Sequence, residues 1–367
     1  NTKQSKDSKD KEEIPMDFFN LANLLDIIGD YGESTKLRKK YSRFVMKDSK
    51  SPLYSNDSLY YISLQSGSDE YQLSNLSINS PASEIGSYTI RTNDGKNNTL
   101  MFTSSGESSK KIKGQFIKPE KPTYNLFLAD FNEGDLTVEN ARLITGDANS
   151  EFHEGPGVIT PDGKGIIFSR SSSSIGKNDA LNLSIYKASL NGSVSSGEKG
   201  VPFNNNDYAV MHPSITPDGS RMYFSSDMPG GLGGMDIYYV NIISDKKYSI
   251  PVNMGPTINT EGSEVFVYAF DSKTLFFSSN GHPGLGGLDV FMVENVGVGG
   301  QSIKNLGAPF NSKRDDLSFF IDKMYKFGFV SSNRVGGVGD DDIYSFRIPN
   351  IPPNGMEDYY TVMAGDT

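Results

Sequence analysis

The sequence contains neither cysteine nor tryptophan. Without cysteine it can form no disulfide, no cysteine-ligated zinc site and no thiol nucleophile. No run of about 18 apolar residues occurs, so no membrane-spanning helix is predicted. Basic residues are in the minority, since 35 Lys and Arg stand against 45 Asp and Glu, for a net charge of −10. Because nucleic acids and anionic membranes attract basic surfaces, neither is expected as a partner.

Glycine, phenylalanine and tyrosine are abundant instead. The 367 residues include 38 Gly, 22 Phe and 19 Tyr. With few long helical apolar runs, this composition predicts many short strands joined by tight turns. A chain of this length is expected to form two or three domains of about 150 residues each. It begins at Asn1 rather than at methionine, so we expect a processed or trimmed product.

Two kinds of segment precede the predicted strands. Residues 1–13 contain no apolar residue and are predicted to be a disordered arm. Residues 14–50 are predicted to form two short antiparallel helices, the first ended by Gly29 and the second ending before Pro52. The pair resembles one tetratricopeptide-type repeat. Because a lone pair buries little surface, it is expected either to pack on the neighbouring domain or to be the tail of a longer helical array.

A repeated motif then organises most of the chain. It consists of a Ser-Ser pair, a glycine-rich loop, an aspartate and an apolar-aromatic pair. Its three aspartates lie 53 residues apart, which is a strong signal of a structural repeat. Weaker copies upstream place a Pro-Asp-Gly or related turn before a short strand. With residues 55–57 before Tyr60 counted as the first of these, the sequence predicts about six units between residues 53 and 348.

These units predict a β-propeller. Two hairpins make a four-stranded sheet that cannot bury both faces alone, and about six such sheets arranged radially cover one another. The predicted fold is therefore mainly β, an approximately six-bladed propeller over residues 53–348 preceded by the helical pair. An unpaired sheet edge is a liability, so a strand from near residues 44–62 is expected to pair with the last unit.

The aspartates of the repeat are candidate site residues. Each is expected to cap its hairpin by accepting N–H bonds from the glycine-rich loop. A cation or ligand role for the whole set is the alternative. The three residues are Asp236, Asp289 and Asp342.

The combination of Pro-Asp-Gly, Tyr-Phe-Ser-Ser and a glycine-rich loop before Asp-Ile-Tyr resembles the TolB-type, WD-repeat-like propeller. With residues 153–156, 255–262 and 331–344, it more specifically resembles the propeller of OmpA-like, peptidoglycan-associated outer-membrane proteins linked to type IX secretion and gliding. In that family a tetratricopeptide-like region precedes the propeller, and a small β-sandwich and a peptidoglycan-binding domain follow it. Residues 349–367 instead read as a stiff, proline-containing linker, whose last eight residues resemble the start of a LysM module.

The sequence offers no catalytic constellation. A G-x-S-x-G nucleophile motif is missing, and His153, His212 and His282 fall in three different units without metal-binding spacing. The acidic clusters lack the alternating ladder of a calcium loop. We therefore predict no enzyme activity, no cofactor and no metal site.

The leading functional hypothesis is a non-enzymatic periplasmic scaffold associated with the outer membrane. The resemblance implies that it docks a subunit of an outer-membrane or type IX secretion complex and is coupled to peptidoglycan through a module absent from this chain. Two long inserts, residues 105–123 and 171–182, are expected to project from one face and to bind the partner. The alternative is a glycan- or peptide-binding propeller whose central pocket contains Tyr88, His212 and Glu264. A propeller hydrolase or lyase is a third hypothesis.

Overall fold

Three helices come first in the described part of the chain. They are α1 (Pro15–Ile28), α2 (Tyr31–Val45) and α3 (Ser58–Gln65), so the predicted helical pair is confirmed as α1 and α2. The predicted arm at 1–13 and nearly all of 349–367 lie outside the described residues. The computed structural model describes residues 15–45, 58–67, 71–91, 98–106, 110–112, 115–117, 123–171, 181–297 and 301–349.

The corner between α1 and α2 follows from two residues. Gly29 has a φ of +84°, the left-handed conformation that commonly ends a helix. The N–H of Asp30 then donates to Leu25 O at 2.9 Å, which satisfies one of the last carbonyls of α1. The Asp30 carboxylate in turn accepts the N–H of Glu33 at 3.2 Å and so caps the start of α2.

Short antiparallel strands make up most of the remaining chain. A two-residue strand, β1, precedes the first two four-stranded blades, and a separate hairpin lies within blade 1. Strand β8 runs parallel to the outer strand of blade 2. The strands are β1 (Ser74–Asn75); blade 1, β2 (Glu84–Arg91), β3 (Asn98–Ser104), β6 (Asn125–Asn132) and β7 (Thr137–Leu143); the hairpin, β4 (Lys110–Ile112) and β5 (Gln115–Ile117); β8 (Thr145–Gly146); and blade 2, β9 (Glu154–Ile159), β10 (Gly165–Ser171), β11 (Leu183–Asn191) and β12 (Val194–Gly200).

Three further blades complete the propeller. In blade 3 two very short strands both pair with the third strand, and in blade 5 the outermost strand is β1. The strands are blade 3, β13 (Val210–Ile215), β14 (Arg221–Ser226), β15 (Asp236–Ser244), β16 (Lys247–Tyr248) and β17 (Val252–Asn253); blade 4, β18 (Glu264–Ala269), β19 (Leu275–Ser279), β20 (Asp289–Glu294) and β21 (Ser302–Asn305); and blade 5, β22 (Asp316–Ile321), β23 (Phe327–Ser332) and β24 (Asp342–Arg347).

The described blades form a closed ring of five. The innermost strands contact one another in the order β2, β9, β13, β18, β22 and back to β2. The prediction of a mainly β propeller is therefore confirmed, and the prediction of six blades is wrong. Its closing strand was also misplaced, because β1, and not a strand from residues 44–62, pairs with β24.

The segment counted as a sixth unit is helix α3. Its Tyr61 and Leu64 are buried and three residues apart, whereas Leu59 and Ile62 are exposed. That spacing places the two pairs on opposite faces of a helix, not on opposite faces of a strand. A turn-like triplet before an aromatic pair was therefore not sufficient evidence for a strand.

One asparagine joins each pair of neighbouring blades. It lies in the segment that leads into a blade, and its side-chain amide bonds both backbone groups of one residue in the preceding blade. Asn259 accepts the N–H of Ile237 at 2.7 Å and donates to its carbonyl at 3.0 Å. The five pairs are Asn79 with Ile343, Asn149 with Leu126, Asn204 with Ile185, Asn259 with Ile237, and Asn311 with Val290.

The amide stands in for an outer strand. In every blade the bonded residue is the second or third of the third strand, just before the point where the fourth strand starts to pair. Without the amide, the N–H of Ile237, which is fully buried, would lack a partner, and its C=O would keep only the bond from the N–H of Met254 at 3.0 Å. The bond between Asn79 and Ile343 spans 264 residues and helps to close the ring.

The hydrophobic core lies between the blades. Phe131 of blade 1 packs against Phe327 and Phe329 of blade 5, with ring centroids 4.8 and 5.1 Å apart. Such aromatic pairs stabilise the folded state by more than the burial of their apolar area alone. Each blade thus covers the apolar face that its neighbour cannot bury alone.

We expect replacement of Asn259 by alanine to destabilise the propeller. The change leaves the buried N–H of Ile237 unpaired and removes one of the two bonds to its C=O, which costs about 1–3 kcal/mol. Urea unfolding of the Asn259→Ala variant would measure the loss. The matched control is Asn20→Ala on the exposed side of α1, which should leave the free energy of unfolding unchanged or slightly raised. Equal stabilities of the two variants would contradict the prediction.

Candidate docking surface

All loops between the second and third strands lie at one end of the propeller, which we call the loop face. The blade 3, blade 4 and blade 5 loops are residues 227–235, 280–288 and 333–341. The chain also enters and leaves both long inserts at this end, because each insert connects the second and third strands of its blade. Residues 107–109, 113–114, 118–122 and 172–180 of the inserts lie outside the described residues.

The repeat aspartates all lie under these loops. Asp236 accepts the N–H groups of Leu232 and Gly233 at 2.6 and 3.2 Å, and the amide of Asn253 at 2.7 Å. Asp342 likewise accepts the N–H groups of Val338 and Gly339. Each carboxylate therefore fixes the turn of its own glycine-rich loop.

Asp289 differs from its two equivalents. The N–H of Gly286 lies 3.3 Å from its Oδ2, while its Oδ1 has no hydrogen-bond partner within the described residues. Burial, together with the nearby Asp316 carboxylate, raises the pKa of Asp289 well above its usual range. A side chain at Gly284 would collide with this carboxylate, since a Cβ there would lie 1.6 Å from Oδ2.

A second set of buried carboxylates begins the inner strands of four blades. Glu264 accepts the N–H and hydroxyl of Thr260 at 2.9 and 2.6 Å and the hydroxyl of Ser279 at 2.7 Å. Burial raises the pKa of Glu264 to about 7, although these bonds oppose the shift. The equivalent acids, each bonded to a serine four residues earlier, are Glu84, Glu154 and Asp316.

The axis of the ring contains an aromatic pair with unusual backbone geometry. His212 and Phe266 both have a φ of +52°, a left-handed conformation that non-glycine residues rarely adopt. Their rings stack with centroids 4.0 Å apart, and His212 Nδ1 accepts the N–H of Phe266 at 3.1 Å. Burial lowers the pKa of His212 to about 3, so its imidazole is neutral at physiological pH.

Tyr88 of the innermost strand β2 has other aromatic neighbours. Tyr88 packs against Tyr268 and Phe320, with ring centroids 6.4 and 5.4 Å away. Burial raises the pKa of Tyr88 to about 12. Tyr88, His212 and Glu264 therefore have different partners among the described residues, and a central pocket lined by all three stays a prediction.

The remaining histidines are also separate. His282 is buried, with Nε2 2.7 Å from Ile258 O, and His153 lies beside Tyr124. Within the described residues, no group of three or more metal-ligating side chains is arranged to hold an ion. The described helices include none that is long and apolar enough to cross a membrane.

The helices pack on the blade 4 loop. Three side chains donate to its carbonyls: Tyr31 to Leu285 O at 3.0 Å, Tyr60 to Pro283 O at 3.2 Å and Arg38 to Gly281 O at 3.4 Å. Arg38 also forms a buried ion pair with Asp26 at 2.7 Å. The helical pair of α1 and α2 thus packs on the neighbouring propeller, which is one of the two arrangements expected from the sequence.

Comparison with known proteins gives structural neighbours only. No protein-family model and no curated protein matches the sequence. The chain is similar to a puromycin-hydrolyzing peptidase of Mycobacterium tuberculosis (11% identity, TM-score 0.38, 70% of this chain and 35% of the peptidase). It is also similar to an α-L-arabinofuranosidase of Lactobacillus brevis (11% identity, TM-score 0.46, 72% of this chain and 90% of that enzyme). A third similar structure is TolB of Acinetobacter baumannii (14% identity, TM-score 0.38, 78% of this chain and 80% of TolB). The chain spans about a third of the length of the peptidase.

The raised pKa of Glu264 predicts a pH-dependent stability. Between about pH 4.5 and pH 7 the native state keeps this proton and the unfolded state loses it. The free energy of unfolding should therefore fall as the pH rises through this window, by up to about 3 kcal/mol from this group. Asp289 and Asp316, whose pKa values are also raised, act in the same direction.

Replacement of Glu264 by glutamine should make this slope shallower. Chemical unfolding at several pH values between 4 and 8 would measure it. Glu139→Gln, at an exposed position of β7, is the matched control and should keep the slope of the unmodified chain. If both variants kept that slope, the carboxyl of Glu264 would be ionised in the folded state and the prediction wrong.

Removal of the Arg38 side chain should release the helices from blade 4. Arg38→Ala leaves the Asp26 carboxylate buried without its cation, at a cost of about 3–5 kcal/mol. Hydrogen exchange should then become faster in α1, α2 and residues 281–286, while blades 1 and 2 keep their protection. The control is Arg142→Ala, which breaks an exposed ion pair with Asp130 and should cost less than about 1 kcal/mol. Unchanged exchange in the helices would contradict this assignment.

Proposed function

We propose that this chain is a non-enzymatic docking scaffold of the bacterial periplasm. It associates with the outer membrane or with a type IX secretion complex, and a domain outside this chain couples it to peptidoglycan. The resemblance of the repeat to peptidoglycan-associated propellers supports the compartment and the class of partner. The geometry of the described residues supports the docking role.

The observation that carries the proposal is the asymmetry between the two ends of the ring. At the end opposite the loop face, fully described connections include tight turns such as Thr160–Gly163, in which Asp162 accepts the hydroxyl of Thr160 at 2.6 Å. The loop face carries the helices and the glycine-rich loops, and the chain enters and leaves both long inserts at this end. Variable segments on a rigid ring are the usual form of a binding surface.

The perturbed ionisable groups support binding rather than catalysis. Glu264 and Asp316 are bonded to the loops that precede their strands, and Asp289 lies beneath the helices. His212 is neutral and bonded to a backbone N–H. Glu264, Asp316 and His212 are thus bonded to the segments that they hold in place. The hydroxyls that Glu264 accepts, those of Thr260 and Ser279, are themselves buried, which favours a structural role for the carboxyl over activation of a nucleophile.

The inserts provide the test of this function. Residues 107–122 and 172–180 are each replaced by a short Gly-Ser linker, and the tagged chain is purified from cells under native conditions. We expect the envelope proteins that accompany the unmodified chain to be lost, because the partner-binding segments are gone. The control is Val194→Asp on the hairpin at the opposite end, where Val194 is exposed. Unchanged co-purification of the double replacement would refute the proposal.

A further inference from the structure

The three glycine-rich loops are equivalent in sequence but not in surroundings. Each loop carries an apolar residue four positions before its aspartate. These residues are 53 residues apart and are Leu232, Leu285 and Val338. Leu285 of blade 4 is only 3% exposed because the helices cover it. Leu232 and Val338 are 41% and 55% exposed, and Val335 in the blade 5 loop is 87% exposed.

The covered loop shows how such a loop binds helices. Its tip residue, Leu285, is enclosed, and its carbonyls at positions 281, 283 and 285 accept bonds from Arg38, Tyr60 and Tyr31. The glycines make this possible, because their backbone has no side chain that would hold a helix away. A helix surface with guanidinium and phenol donors around an apolar centre therefore fits this loop.

We propose that the blade 5 loop is a second site of this kind and binds a basic, amphipathic helix pair of a partner protein. This inference rests on the proposed docking function and names its contact point. The carbonyls of Gly336 and Val338 correspond to those that Tyr60 and Tyr31 reach in blade 4. Within the described residues, no donor bonds to either of them.

Charge favours a basic partner at blade 5. Asp340 is exposed beside the tip, and its charge together with that of Asp315 contributes to the raised pKa of Asp341, for which burial is the main cause. Arg334, the basic residue of the same loop, is turned inward, with its guanidinium on Pro309 O, Phe310 O and Asp316. The helix that covers blade 4 is itself basic, with Lys or Arg at positions 36, 38, 39, 40 and 43 of α2.

A helical probe tests this site on the intact chain. The probe is a fluorescein-labelled peptide with the sequence of residues 31–45, held helical by a hydrocarbon staple on its outer face. It carries the Tyr31 and Arg38 donors, and its binding is followed by fluorescence anisotropy. We expect saturable binding that weakens as the salt concentration rises, since part of the attraction is between exposed charges.

Variants of the chain show whether the peptide binds at the blade 5 loop. Val335→Asn combined with Val338→Asn should weaken binding of the peptide by about tenfold or more, because both apolar side chains are exposed centres of the contact and the change leaves the charge of the loop unaltered. Thermal unfolding of this double variant should be unchanged, since neither side chain is buried. The Val194→Asn variant, a matched change at the opposite end, should bind the peptide as the unmodified chain does. A peptide with Tyr31→Phe and Arg38→Ala should also bind more weakly.

Two results would overturn the inference. One is a lack of saturable binding to the intact chain. The other is equal binding to the double variant, which would show that the peptide binds elsewhere, for example in place of α2 on blade 4. Neither result bears on the insert replacements, so a failure at this loop would leave the wider docking function standing.

Discussion

A side-chain amide at each junction between blades is the interaction on which this ring depends. A four-stranded blade is too small to be stable alone, and its third strand extends past the point where the fourth begins to pair. The asparagine fills that gap with two bonds and comes from the segment that enters the next blade, as Asn259 does for Ile237. Strand completion and blade-to-blade attachment are therefore a single contact, repeated around the axis.

The same segments enclose four buried acids, Glu84, Glu154, Glu264 and Asp316. A residue after the asparagine, such as Thr260, orients the acid that starts the next strand, and Glu264 in turn fixes the loop. Perturbed pKa values often mark catalytic sites, but hydrogen-bonded structural networks produce them as well. Here Glu264 and Asp316 are enclosed by the loops that they organise, so their raised pKa values reflect burial in the fold.

Sequence spacing predicted the propeller and located blades 3 to 5, because the motif around Asp236 recurs at a constant interval. Predicting the number of blades from the sequence would have required a different pattern. In that pattern an asparagine is followed directly by Ser or Thr, and an acid lies five residues after the asparagine. Blade 3 departs from it, since its inner strand starts at Val210, and long inserts vary the spacing. No local pattern separates Asp289 from Asp236, because the difference comes from helices more than 200 residues away in the chain.

The sequence repeat alone does not create a unique binding position on the ring. Equivalent sequences make equivalent loops, and a ring of identical loops would give a partner no reason to prefer one position. The helices break this symmetry by covering Leu285 while Leu232 and Val338 stay exposed. A binding site on the loop face is therefore one of the loops that the helices leave exposed. The covered blade 4 loop shows which contacts an exposed loop of the same sequence type can make with a helix.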